Sequence, residues 1–184
     1  MLLPGHSNKA AFIDRDGVLN DLVDRGAGFY LGGKPFRWTA PFKRRELRLK
    51  PDIREALELI ERKGYLRILV TNQPDVATGH IPPDEFERMM AIFRGLPLNS
   101  LYVCMHSPKA GCACRKPAPG MLLAARDAHA VDMSRSYMIG DMETDVIAGQ
   151  AAGVRTVLVT NEVTVATAAH HRVLNIMEAA LLLP

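Results

Sequence analysis

The sequence predicts an α/β protein in which helices cover both faces of a parallel sheet. Three observations predict it. Short apolar runs alternate along the chain with segments of helical periodicity. The runs are mostly apolar, as strands buried on both faces tend to be. Polar residues capable of chemistry follow several of the runs directly, which is where ligands bind in such sheets.

The elements follow in order. Ala10-Ala11-Phe12-Ile13 reads as a buried strand ending at Asp14. Residues 20–46, with Gly26, Gly28, Gly32, Gly33, Pro35 and Pro41, read as a long irregular insert. Loops of that length are usually functional or disordered. Pro51 opens a helix at its first turn, where a missing N–H costs nothing. Ile53, Leu57 and Ile60 line one face of it, and Gly64 ends it. Leu66–Thr71 is a second strand. Pro82 and Pro83 start a helix whose apolar face is Phe86, Met89, Met90 and Phe93. Leu101–Cys104 is a strand, 120–130 a helix, Tyr137–Ile139 a strand, 144–152 a helix and Thr156–Val159 a strand. Arg172–Leu174 precedes a helix through Leu183.

Composition sets broad bounds. The 184 residues are 48% hydrophobic and 23% charged, which suits one soluble domain spanning residues 1–184. No apolar run approaches the ~18 residues that suggest a membrane helix. The start, Met1-Leu2-Leu3-Pro4-Gly5-His6, lacks the basic-then-apolar order of a signal peptide. A cytoplasmic protein is expected. Net charge is +3. Its densest basic stretch is Lys43, Arg44, Arg45, Arg48 and Lys50, opposed by Glu46. It reads as a solvated linker or as a surface that attracts a phosphorylated substrate. No aromatic residue interleaves with these charges, so single-stranded nucleic acid gets little support.

Four constellations carry chemistry. In Asp14-Arg15-Asp16-Gly17, two carboxylates crowd the tip of a buried strand. Like charges that close raise each other's pKa unless a cation intervenes. Mg²⁺, a hard ion with oxygen ligands, is the natural one. One aspartate can then attack phosphorus while the other moves the proton. Thr71-Asn72-Gln73 puts a hydroxyl and an amide at the next strand tip, able to hold a phosphoryl oxygen; an ordinary turn has the same composition. Arg115-Lys116-Pro117 offers a lysine to balance the aspartates. Gly140-Asp141-Met142-Glu143-Thr144-Asp145 adds a metal oxygen at Asp141. Asp145, one helical turn on, can reach Lys116 or cap the helix.

A fifth group is metal-binding by spacing. Cys104-Met105-His106 and Cys112-Ala113-Cys114 form C-x-H-x5-C-x-C, and they hold all three cysteines. Three sulfurs and an imidazole make a closed, four-coordinate zinc site of the structural kind. Arg115 and Lys116 follow at once, so clamping this 104–114 loop would fix both cations.

The first four pieces, in this order and at strand ends, resemble the four motifs of the haloacid dehalogenase superfamily over residues 10 to about 160. The resemblance implies a Rossmann-like fold, Mg²⁺ and a phosphoaspartate intermediate. It makes Asp14 the nucleophile and Asp16 the acid/base. Mg²⁺ would be held by Asp14, Asp141 and the backbone carbonyl of Asp16. Thr71, Asn72 and Lys116 would bind the transferred phosphoryl group, with Asp145 in support. With the zinc loop and C-R-K-P added, the chain is similar to a branch that lacks a large cap domain. That branch contains heptose 1,7-bisphosphate and histidinol-phosphate phosphatases. By it, Arg115 contacts the non-transferred end of the substrate. The expected reaction is removal of the 7-phosphate from D-glycero-D-manno-heptose 1,7-bisphosphate. The alternatives are histidinol phosphate, a nucleic-acid 3′-phosphate, or a non-catalytic zinc-stabilised binding protein. A small phosphorylated metabolite is the expected partner, with no membrane, and the capless chain is expected to be a monomer.

Two features depart from that branch. The segment after Asn20 is longer and carries Phe36-Arg37-Trp38. Trp38 either packs on the domain or lines the pocket mouth. In Gln73-Pro74-Asp75-Val76-Ala77-Thr78-Gly79, Thr78 stands where an arginine is usual, which removes one substrate cation.

Overall fold

The computed structural model describes residues 8–162 and 166–184; the Met1–His6 start lies outside them. Apolar run and strand coincide through the central sheet except at one edge, which is His171-Arg172-Val173. Its strands are β1 (Lys9–Ile13), β6 (Tyr65–Asn72), β7 (Ser100–Cys104), β8 (Tyr137–Gly140), β9 (Arg155–Val159) and β10 (His171–Val173). All the pairings are parallel, in the order β10-β9-β8-β1-β6-β7.

Alternate residues of each strand serve two cores, as the period of two requires. Ala11 and Ile13 of β1 pack with Leu69 and Ile139 under α1 (Ile53–Arg62), α2 (Pro83–Arg94) and α5 (Ile176–Leu182). Ala10 and Phe12 pack with Val70 and Met138 under α3 (Gly120–His129) and α4 (Glu143–Ala152). The chain runs outward from β1 through β6 to β7, then returns to β8 on the other side of β1. That reversal opens a crevice beyond the carboxyl end of β1. Asp14, Asn72, Cys104 and Asp141 sit along this edge.

The insert is more regular than its composition suggests. The strands β2 (Val23–Asp24) and β5 (Trp38–Thr39) pair antiparallel, as do β3 (Tyr30–Leu31) and β4 (Lys34–Pro35). Together they form one hairpin, interrupted where Gly26-Ala27-Gly28 has no counterpart on the return strand. Its tip is Gly32-Gly33, both with positive φ (56° and 78°), as a two-residue hairpin turn demands. Arg25 rivets the base: it is bidentate to Glu46 at 2.9 Å, donates to Thr39 Oγ1, and lies 4.3 Å from the Phe42 ring centroid. The basic stretch 43–50 begins just beyond, and Arg44, Arg45 and Arg48 are exposed.

One helix lies unusually close to the sheet. A methyl group added at Gly149 of α4 would stand 2.6 Å from Thr156 Cγ2 and 2.8 Å from Met138 Cβ. Alanine is the better helix former by about 1 kcal/mol, yet overpacking costs about 1–3 kcal/mol. Gly149→Ala should therefore destabilise the protein by about 1–2 kcal/mol. Urea unfolding measures this, and a more stable variant would show that α4 is free to move off the sheet.

Candidate active site

Asp14 leaves β1 with its backbone N–H bonded to Ile139 O, so β8 fixes where the carboxylate starts. Its Oδ1 accepts from the Arg15 N–H at 2.7 Å and pairs with Lys116 Nζ at 2.8 Å. Both partners of Asp14 in the hydrogen-bond network fall on that one oxygen, which leaves Oδ2 open to the crevice.

Lys116 is buried, and its ammonium has three oxygens around it, two of them in ion pairs. The three are Asp14 Oδ1, Asp145 Oδ1 at 2.6 Å and Val70 O at 2.9 Å. Burial works against the ammonium charge, but Asp14 and Asp145 outweigh it and hold Lys116 above its ordinary range. Asp145 meets both of its sequence expectations: Oδ2 also accepts from the Met142 N–H at the start of α4. Lys116 also lines the cavity beside Asp14, so its charge faces the place where a phosphoryl group would sit.

One ammonium does not balance the acids. Carboxylate oxygens of Asp14, Asp141 and Asp145 lie within 4.8 Å of one another. Burial, opposed by Lys116 and reinforced by the other aspartates, pushes Asp14 up to about 7. Burial and the neighbouring Asp14, Asp145 and Asp16 push Asp141 up to about 8. Such an all-oxygen donor set, short of positive charge, fits a hard divalent cation. Asp141 also explains Gly17, which has φ +80° and whose added Cβ would collide with the Asp141 carboxylate. Gly140 is likewise closed to a side chain by Asp145.

Asp16 is held by residues that the sequence reading left out. The wholly buried Arg15 donates through Nε and Nη2 to both its oxygens at 3.0–3.1 Å. Asn20 Nδ2 donates to Oδ1 at 3.0 Å, and Gln73 Nε2 to Oδ2 at 2.6 Å. The other hydrogen of the Gln73 amide goes to Thr71 Oγ1 at 2.9 Å, leaving the Thr71 hydroxyl hydrogen free to donate. Arg15 itself rests against Met90 and the Phe93 ring of α2. An arginine between two aspartates reads as a surface residue in sequence; its burial is visible only in three dimensions.

Asn72 lines the cavity and also anchors the loop that carries Lys116. Its Oδ1 accepts from the Lys116 N–H and its Nδ2 donates to Lys116 O, both at 3.0 Å. That reciprocal pair fastens the Lys116 peptide to the end of β6. Around these groups lies a cavity of about 250 Å³, floored by Asp14 and Asp16 and reached by Thr71, Arg115 and Lys116. Leu31, Phe36 and Trp38 of the hairpin line it too, so Trp38 stands at the pocket mouth and not against the domain. Arg115 Nη1 is buried with no hydrogen-bond partner.

The Cys/His spacing closes as expected. The sulfurs of Cys104, Cys112 and Cys114 lie 3.2–3.6 Å apart, and His106 Nδ1 is 3.2 Å from Cys114 Sγ and 3.6 Å from Cys104 Sγ. A tetrahedron with Zn–S bonds near 2.3 Å has edges of about 3.8 Å, so the four atoms fit one zinc-sized ion. The thiols cannot all ionise side by side. Burial and the adjoining sulfurs push Cys114 up to about 12, while hydrogen bonds overcome burial to bring Cys112 down to about 7. Gly120, at the start of α3, packs so tightly under Ala113 O that a Cβ would collide with it.

Comparison with known proteins finds relatives both in sequence and in structure. Residues 113–180 match the model of the HAD-hydrolase-like family. The D-glycero-beta-D-manno-heptose-1,7-bisphosphate 7-phosphatase of Helicobacter pylori (strain J99) is 34% identical over 163 residues, 85% of each chain. The D-glycero-alpha-D-manno-heptose-1,7-bisphosphate 7-phosphatase of Burkholderia mallei is 34% identical over 164 residues, 82% of this chain and 79% of that one. Among solved structures, a putative HAD-like phosphatase from Mesorhizobium loti superposes with a TM-score of 0.72 at 27% identity, covering 95% of this chain and 85% of that one. A D,D-heptose 1,7-bisphosphate phosphatase from B. bronchiseptica gives 0.75 at 24% identity, covering 94% and 96%, and shares the fold.

The elevated carboxyls make a pH prediction. Without a divalent cation, folded Asp14 and Asp141 keep protons that the unfolded chain, with a carboxyl value of 3.8, has released. From about pH 4 to pH 8 the native state binds more protons, so stability falls as pH rises through that window. The Tm of protein dialysed free of Mg²⁺ should decline from pH 5 to 8, and saturating Mg²⁺ should flatten the slope. A flat profile in the Mg²⁺-free protein would contradict the carboxylate cluster described here.

Proposed function

The chain belongs to the heptose-1,7-bisphosphate 7-phosphatase family of haloacid dehalogenase-like hydrolases, and from that premise we propose a single-domain, Mg²⁺-dependent enzyme that removes the 7-phosphate of D-glycero-D-manno-heptose 1,7-bisphosphate. The observation that carries the reading is Asp14: one oxygen is tied to Lys116 and the Arg15 N–H, and the other faces the cavity.

In this reading Asp14 Oδ2 attacks the substrate phosphorus. The bond from phosphorus to the sugar oxygen breaks, and Asp16 gives that oxygen its proton. Asp16 then takes a proton from water as the water oxygen attacks phosphorus, which frees Asp14 and inorganic phosphate. Lys116 holds the nucleophile's orientation and offsets its charge. Thr71 donates its free hydroxyl hydrogen to a phosphoryl oxygen. Arg115, with its unpaired Nη1, receives the phosphate that is retained. Mg²⁺, held by Asp14, Asp141 and the Asp16 carbonyl, would neutralise phosphoryl charge. Zinc on Cys104, His106, Cys112 and Cys114 would fix the loop that carries Arg115 and Lys116.

Histidinol phosphate is the second reading. Its amine would need an acidic group at the pocket mouth, and the acids of the insert do not line the cavity: Asp24 pairs with Arg37 at 3.0 Å, and Asp21 faces the neighbouring groove. Asp75 does line the cavity, with His80 Nδ1 3.7 Å from its carboxylate.

Three experiments test this reading. Asp14→Asn and Asp16→Asn should each abolish phosphate release while circular dichroism stays unchanged; substantial turnover by either variant would sink the role assignment. On a panel of both heptose 1,7-bisphosphate anomers, histidinol phosphate and a 3′-phosphorylated oligonucleotide, one heptose anomer should lead by about a hundredfold in kcat/KM. Preference for histidinol phosphate would promote the second reading. Cys112→Ser should lose bound zinc by atomic absorption and reduce kcat/KM by about 10–100-fold. A zinc-free protein of undiminished activity would remove zinc from the account.

A further inference from the structure

The hairpin presents an apolar face to a site otherwise built of carboxylates and cations. Phe36 and Trp38 lie two residues apart on the return strand, so their side chains share a face. Leu31 and Lys34 are cross-strand partners at the tip, and Lys34 keeps the same parity as Phe36. Leu31, Phe36 and Trp38 all line the cavity above Asp14 and Asp16. Yet Phe36 is 42% exposed and Trp38 51% exposed. Two large aromatic side chains left half in water on a projecting element are not there for the core. They gain burial when something apolar-faced enters the cavity.

The ring of Trp38 is also braced. Arg37, ion-paired with Asp24, places its guanidinium 5.4 Å from the Trp38 centroid and covers one face of the ring. Asp24 is the cross-strand partner of Trp38, so the brace lies within the hairpin. The ring is therefore oriented before any ligand arrives, which lowers the ordering cost of binding.

We propose that Trp38, with Phe36 beside it, is a specificity-determining platform against which the carbon-bearing face of the substrate sugar lies while its phosphate rests on Asp14. The inference depends on the sugar-phosphate reading above. A pyranose ring offers the chemistry: one face of C–H groups to match an aromatic surface, and a rim of hydroxyls for the polar wall. It also assigns work to the segment in which this chain departs from its branch. Aromatic stacking supplies contact area with few rotatable bonds to freeze, while the charged groups stay committed to the phosphates.

Trp38 is the only tryptophan in the sequence, so its fluorescence reports on this surface alone. In Asp14→Asn protein with Mg²⁺, heptose 1,7-bisphosphate should change the emission saturably, and inorganic phosphate, which lacks the sugar, should not. In wild-type protein, Trp38→Ala should raise KM by about tenfold or more with a smaller change in kcat, and Trp38→Phe should restore most of it. Equal responses to phosphate and sugar would overturn the platform in favour of a motion triggered by the anion. Calorimetric binding of the heptose bisphosphate with silent fluorescence and an unchanged KM in Trp38→Ala would overturn it while the substrate reading stands. A response to histidinol phosphate but not to the sugar would overturn the sugar contact and the substrate reading together.

Discussion

Lys116 between Asp14 and Asp145 is the interaction on which the rest of the site depends. A lysine out of water is tolerable only where its charge is met, and here two carboxylates flank it and the Val70 carbonyl accepts a hydrogen from it. The arrangement settles three things at once. It fixes the orientation of Asp14, it ties the start of α4 to the centre of the sheet through Asp145, and it leaves Asp141 as the acid without a protein cation. That deficit of positive charge is what makes the carboxylate cluster fit a hard divalent cation.

Holding Lys116 there requires a rigid loop, and the chain secures that loop from both sides. On one side Asn72 grips the Lys116 peptide with both ends of its amide. On the other, three sulfurs and an imidazole draw residues 104–114 into a knot that ends one residue before Arg115. Close approaches complete the fit. Gly17 makes room for Asp141, Gly140 for Asp145, and Gly120 for the turn of the Cys/His loop. At these positions the missing side chain is a steric condition of the site, in addition to any turn it permits.

Much of this was legible in the sequence because the relevant signals are local. Apolar runs and helical periodicity predicted each element of the central sheet and its helices to within a residue or two. The C-x-H-x5-C-x-C spacing predicted which four ligands converge. The two duties of Asp145 followed from its place one turn beyond Asp141. What sequence concealed was direction. The reciprocal pair between the Asn72 amide and the Lys116 peptide has no signal in the sequence. Arg15 and Gln73, the residues that hold Asp16, sit in strand-end segments whose side-chain orientation no spacing rule supplies. The hairpin was missed despite Gly32-Gly33, because its strands are two residues each and the Gly26–Gly28 interruption breaks their alternation.

The ends of the insert meet. Asn20 forms an antiparallel bridge with Leu49, and the Asp21 N–H bonds to Arg48 O, so the chain leaves the catalytic edge and returns to the same spot. Closing such an excursion costs little more when it is lengthened, about 0.6 kcal/mol per doubling. The hairpin is thus a detachable module in the evolutionary sense. It can be lengthened, shortened or exchanged while Asp14, Asp16 and Lys116 keep their places, so that the outer wall of the cavity can be rebuilt through variation confined to a single stretch of the gene.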